Sequence, residues 1–194
     1  MKEGKRPTQA ERREATRDAL LEAAGRAFAR RGYHGASVEE IAADAGLTKG
    51  ALYYNFAGKE DLFLALLDRH VAARLDLLSD LDAAGPAALR EGARRVAAAL
   101  RADRDWSLLF LEFWAQAARD PRTRRRFEAR MRPVRAALGA FVASHAPPGA
   151  DAERLAAAVD ALVDGFAMRA LLRPSDDGGE LLAGALEALW RGAA

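Results

Sequence analysis

Apolar residues recur at three- and four-residue spacing along almost the whole chain. The alternation that marks a half-buried strand is missing, so the pattern predicts an all-α protein of about nine helices. A first helix is expected from Ala10 to Arg31, with Leu20, Ala24, Ala27 and Phe28 on one face and Gly32 as its stop. A short helix follows from Ser37, where Ser-Val-Glu-Glu has the form of a capping box closed by Glu40; Gly46 ends it. Thr48 is a good N-cap for another short helix reaching Phe56, and a longer one is expected over 59–82. Gly85-Pro86 interrupts the pattern, after which helices are expected over 86–102, 105–119, 121–145, 150–172 and 178–191. Asp120-Pro121, Pro147-Pro148-Gly149 and the turn-rich run from Pro174 to Gly179 separate them.

Composition narrows the choices. A chain of 194 residues, 51% apolar and 30% charged, has enough apolar material for a real core. No apolar run approaches the roughly 18–20 residues of a membrane span. The start, MKEGKRPTQAERREATR, offers no apolar segment for secretion, so the expected location is cytoplasmic and no membrane partner is expected. There are no cysteines, and the three histidines, His34, His70 and His145, lie far apart, so neither a metal site nor a cofactor is expected. Catalysis has no constellation to rest on: HExxH, a glycine-rich phosphate loop and a nucleophile elbow are all missing. Asp160 and Asp164 stand one helical turn apart, but with no histidine beside them their expected role is pairing with Arg169 or capping polar contacts.

Two short helices joined by a glycine-containing turn, over 37–45 and 48–56, make a helix-turn-helix, whose second helix can enter the major groove of DNA. Leu47, Leu52 and Phe56 are the expected inward face of that second helix. Thr48 and the helix start offer a hydroxyl and free N–H groups to a phosphate, and Lys49 a flexible cation. Gly50 and Ala51 let the backbone approach base edges. Tyr53, Tyr54 and Asn55 carry further donors, and Lys59 stands where the next helix begins. The net charge is only +2, yet residues 1–31 hold nine basic and five acidic side chains. Lys2, Lys5, Arg6, Arg12, Arg13 and Arg17 are therefore either a DNA-contacting arm or a solvated tail.

The stretch from Thr16 to His70 resembles the N-terminal DNA-binding domain of the tetracycline-repressor (TetR) family. The resemblance rests on Ser-Val-Glu-Glu-Ile-Ala, then Ala-Gly-Leu-Thr-Lys-Gly-Ala-Leu-Tyr-Tyr-Asn-Phe, then Gly-Lys-Glu-Asp-Leu. It implies a homodimeric transcription factor, usually a repressor, acting on a palindromic double-stranded operator, with a C-terminal helical domain that binds a small-molecule effector and dimerises. The implied division is a basic arm over 1–13, a DNA-binding domain over 14–74 and a ligand-binding and dimerisation domain over 75–194. Position by position, Lys49, Gly50, Ala51 and Tyr54 become base-facing. Thr48, Tyr53, Asn55 and Lys59 become phosphate contacts, with Ser37 assisting at the start of the preceding helix. Asn55 departs from the histidine, and Gly58 from the serine, that many members carry. A transcriptional activator, or a DNA-binding interaction protein without an inducer, is the alternative reading.

Beyond that domain, Trp106, Leu109, Phe110, Phe113 and Ala117 form one helical stripe with Trp114 at its edge. Such a stripe is core or one wall of an apolar pocket. As a pocket it would be lined by Trp106, Phe110, Phe113, Trp114, Phe141 and Phe166, with Ser107, Glu112 and Gln116 as polar points, and Glu112 would select a cation if it points inward. In the 150–172 helix, Leu155, Val159, Leu162, Val163 and Phe166 make one apolar face, and Ala157, Ala161, Gly165 and Met168 a second, smaller one. A helix apolar on two sides has two partners. The final helix brings Leu182, Ala185, Leu186, Leu189 and Trp190, and the expected dimer interface is Ala157, Ala161, Gly165, Met168, Leu182, Leu186, Leu189 and Trp190. Seven arginines between Arg122 and Arg135 fall on one helix; with 26 arginines against 4 lysines in the chain, they are expected to be a solvated face.

Overall fold

The computed structural model describes residues 8–79, 86–173 and 178–193, and among them finds helices and no strand. The helices are α1 (Gln9–Gly35), α2 (Val38–Asp44), α3 (Lys49–Asn55), α4 (Lys59–Ser79), α5 (Pro86–Ala102), α6 (Arg104–Arg119), α7 (Pro121–His145), α8 (Ala152–Leu172) and α9 (Gly178–Ala193). The expected arm residues Lys2, Lys5 and Arg6 and most of the Pro174–Gly179 turn lie outside the described residues. The chain divides into two compact units, 1–68 and 69–194, with α4 running through the division.

Local chemistry explains where the helices of the first unit start and stop. α1 begins earlier than its apolar pattern suggests because Thr8 closes a capping box: its Oγ1 accepts from Glu11 N at 3.2 Å, and Glu11 accepts from Thr8 N at 2.6 Å. The Thr-x-x-Glu spelling was present in the sequence. Gly32 interrupts α1 at φ 69°, ψ 175°, a conformation that side chains bearing a Cβ rarely adopt, and the chain then winds on to Gly35. Ser37 caps α2, its Oγ accepting from Glu40 N at 3.1 Å. Glu40's own carboxylate is held 2.9 Å from Arg31 Nε, so the expected capping box is half formed and its acid ties α2 to α1 instead. Arg30 pairs closely with Asp44 at the other end of α2. Between α2 and α3 the chain turns at Gly46, φ 68°.

Leu20, Ala24, Ala27 and Phe28 of α1, Ile41 of α2, Leu52 of α3, Phe56 and Phe63 are all buried, so the stripe read from α1 is the core of this unit. Each fully buried Leu or Phe contributes about 1.5–3 kcal/mol relative to exposure. Tyr33 closes the core edge-on against Phe63 at 6.0 Å.

In the second unit α5 lies along α9, α7 along α8, and α6 against α7. Thr123, Phe127, Met131 and Val134 form the buried stripe of α7, while Arg122, Arg124, Arg125 and Arg132 point to solvent. Arg90 and Arg94 of α5 grip Glu180 and Glu187 of α9, and Trp190 Nε1 donates to His145 O at 3.0 Å, fastening α9 to the end of α7. Asp160 meets Arg135 of α7 at 3.4 Å rather than Arg169 of its own helix.

Candidate nucleic-acid interface and effector cavity

α3 is seven residues long and owes its phase to two buried residues, Leu52 on the helix and Phe56 just after it. With those two inward, Thr48, Lys49, Gly50, Tyr53 and Tyr54 face out, and Ala51 is half-buried. Tyr53 is 50% exposed and Tyr54 73%, so much of each ring meets solvent. Thr48 Oγ1 caps the helix by accepting from Ala51 N at 3.1 Å, leaving its hydroxyl proton directed elsewhere. Lys49 pairs closely with Glu39 of α2, which raises the ammonium above its ordinary pKa, and stands 5.8 Å from the Tyr53 ring. So exposed a pair adds little stability, and a phosphate can take Glu39's place. Ser37 is exposed at the start of α2.

Two expected phosphate contacts are turned inward. Asn55 donates through Nδ2 to Ala51 O at 2.8 Å, within its own helix, and its Oδ1 is buried without a hydrogen-bond partner. One of its two amide N–H groups is therefore spent within α3. Lys59 donates to His34 O at 3.2 Å and Ala36 O at 3.1 Å, and lies 4.8 Å over the Tyr33 ring. Burial pushes its pKa down. It closes the carbonyl end of α1, with at most one N–H left for DNA. Both partnerships join backbone carbonyls to side chains and leave no mark on residue type or spacing.

The basic residues of the expected arm also separate. Arg12, Arg13 and Arg17 belong to α1. Arg17 donates to Asn55 O at 3.1 Å with its guanidinium 4.2 Å over the Phe56 ring, so it braces α3 from behind. Arg13 lies 5.5 Å over the exposed Tyr54 ring and extends the outward face of α3.

The second unit encloses a cavity of about 450 Å³. Val96 and Leu100 of α5, Leu138, Phe141 and Val142 of α7, Val159 and Val163 of α8, and Leu182, Leu186 and Trp190 of α9 make its apolar wall. His70 of α4, Asp103, Ser107 and Asp160 are its polar points, and the His70 ring stacks on Trp106 at 3.5 Å. Of the expected pocket residues, Trp106 and Phe141 line this space. Phe110 and Phe113 instead pack on Phe127, at 5.5 and 6.0 Å, because the inward stripe of α6 is taken up by α7. Glu112, Trp114 and Gln116 are outside the cavity, Trp114 being 45% exposed, and Phe166 lines a separate small cleft beside Arg169.

The expected dimer residues divide as well. Ala157, Ala161, Gly165 and Met168 are exposed on α8. Leu182, Leu186 and Trp190 are buried and Leu189 is half-buried; the outward face of α9 is Leu181, Gly184 and Ala188. An all-round apolar helix hides which stripe goes inward.

Comparison with known proteins places the chain. Residues 20–66 match the model of bacterial regulatory proteins of the tetR family, and residues 85–191 the model of the BetI-type transcriptional repressor C-terminal domain. The transcriptional activator FasR of Mycolicibacterium smegmatis is 49% identical over 59 residues, 30% of this chain and 27% of FasR. The transcriptional repressor AcnR of Corynebacterium efficiens is 28% identical over 171 residues, 84% of this chain and 86% of AcnR. In fold, FadR of Bacillus subtilis, solved in complex with stearoyl-CoA, superposes with a TM-score of 0.76 at 19% identity, covering 91% of this chain and 99% of FadR. Two consecutive family models, one of them spanning more than half the chain, and a helix-turn-helix with its outer face bare converge: the chain belongs to the TetR family of transcriptional regulators, DNA-binding proteins and not enzymes.

Proposed function

We propose that this regulator acts in the cytoplasm as a homodimeric repressor, bound to a palindromic operator and released by a small, mostly apolar effector. The observation that carries the DNA-reading part is the pair of uncovered tyrosines on α3, fixed in phase by Leu52 and Phe56. Thr48, Lys49, Gly50, Ala51, Tyr53 and Tyr54 form the reading surface, Ser37 and Arg13 flank it, and Lys59 and Asn55 hold its frame. The cavity supports an effector: about 450 Å³ lies in the range of small-molecule sites, and a few polar groups converge on an apolar wall. His70 links that cavity to α4, so a ligand that separates the His70–Trp106 stack would act on the helix that leads out of the DNA-binding unit. The small-residue faces of α8 and α9 support pairing of two copies as a four-helix interface.

Activation stands as the second reading: FasR, similar over the DNA-binding segment, is an activator, and that segment serves either direction of control. Replacing Tyr53 and Tyr54 together by Ala is expected to abolish duplex binding at about 0.15 M salt while the helical spectrum stays intact. Undiminished binding by that variant would contradict the reading.

A further inference from the structure

We propose that the cavity of the second unit selects an amphipathic organic cation, an inference that rests on the effector reading above. The lining supplies two carboxylates, Asp103 at the N-cap of α6 and Asp160 on α8. Among the described lining residues there is no Arg or Lys, in a chain with 26 arginines. Glu112, the acid expected to select a cation, lies outside the cavity; the acidity comes from the other two positions.

Both carboxylates keep accepting capacity. Asp103 uses Oδ1 to accept from Trp106 N at 3.0 Å, and its Oδ2 stands 3.4 Å from His70 Nε2. Asp160 is ion-paired through Oδ2 with Arg135 Nε at 3.4 Å, and Arg135 Nη1 is in turn closely engaged by Glu128. An ionised carboxylate has about four lone-pair sites, so each can take a further donor or cation. A carboxylate or phosphate ligand would instead give up its water beside two like charges, with no Arg or Lys among the described lining to compensate. Trp106, Phe141 and Trp190 add aromatic rings to the wall, Trp106 and Phe141 each with one face stacked on a histidine, and the aliphatic remainder accommodates the apolar body of the ligand.

The test is calorimetric titration of the full chain with three probes of equal chain length, decyltrimethylammonium, decanoate and decanol, below their micelle concentrations. The cation is expected to bind at least about tenfold more tightly than either of the others. Asp103→Asn, which keeps the N-cap, and Asp160→Asn are each expected to reduce cation affinity several-fold while leaving decanol binding unchanged. Decanoate or decanol binding as tightly as the cation overturns the charge assignment but leaves an effector site standing. Cation preference undiminished in both variants overturns the role of these two acids. Failure of all three probes to bind overturns the proposal together with the effector reading.

Discussion

Tyr54 and Tyr53 are neighbours with different work to do. Tyr54, 73% exposed under Arg13, is proposed to read bases, so Tyr54→Ala is expected to change the preferred DNA sequence. Tyr53 shares its side of the helix with Lys49, and Tyr53→Phe, losing one hydroxyl donor, should weaken binding to all sequences by about tenfold without altering preference. Binding titrations of both variants against a series of duplexes check the pair. Lys59→Met leaves the His34 and Ala36 carbonyls without their cation. It is expected to lower stability by about 1–3 kcal/mol, read by denaturant unfolding, in addition to any effect on DNA. The tyrosines were legible in the sequence because Leu52 and Phe56 fixed the helix phase. The internal partners of Asn55 and Lys59 were not legible, because they are main-chain carbonyls, one a turn away and the others more than twenty residues back.

Helix boundaries turn on single residues. Gly32→Ala forces a side chain into φ 69°, ψ 175° and is expected to cost about 1–3 kcal/mol, seen as a lower thermal midpoint. α2 is held to α1 by Arg30–Asp44 and Arg31–Glu40. The Arg30 hydrogen bond holds Asp44 below its ordinary value of 3.8. A depressed carboxylate pKa stabilises the fold above the unfolded value and loses that effect as pH falls through the folded one. The stability gap between the parent and Asp44→Asn should therefore be constant near neutrality and close below about pH 3.8; a gap that persists in acid would assign it to packing. Most helix starts and stops were readable from Ser37, Thr48, Gly32 and Asp120. The half-formed box at Ser37 was not, since Arg31 competes for Glu40 only once α1 and α2 pack.

At the scale of the molecule the sequence carried the all-α class and the helix-turn-helix, but not which stripes of α6, α8 and α9 face one another. Periodicity states that a stripe is buried, not whether its partner is core, cavity or another copy. Hence Leu182, Leu186 and Trp190 proved to line a cavity, while Leu181, Gly184 and Ala188 are exposed on α9. Charges placed in the exposed face of α8 by Gly165→Glu with Met168→Glu are expected to give a monomer mass at micromolar concentration, where the parent is expected to give a dimer mass. Light scattering on both chains checks this.

Two copies matched to successive major grooves would set their α3 helices roughly 34–36 Å apart, so a two-fold dimer should prefer a palindrome. The direct test is selection of duplexes from a random pool by the purified parent at about 0.15 M salt, which suppresses purely electrostatic binding. Enrichment of a palindromic consensus that changes in Tyr54→Ala is the predicted result. Recovery of an unenriched pool, or of the same consensus in Tyr54→Ala, would contradict α3 as the reader of sequence.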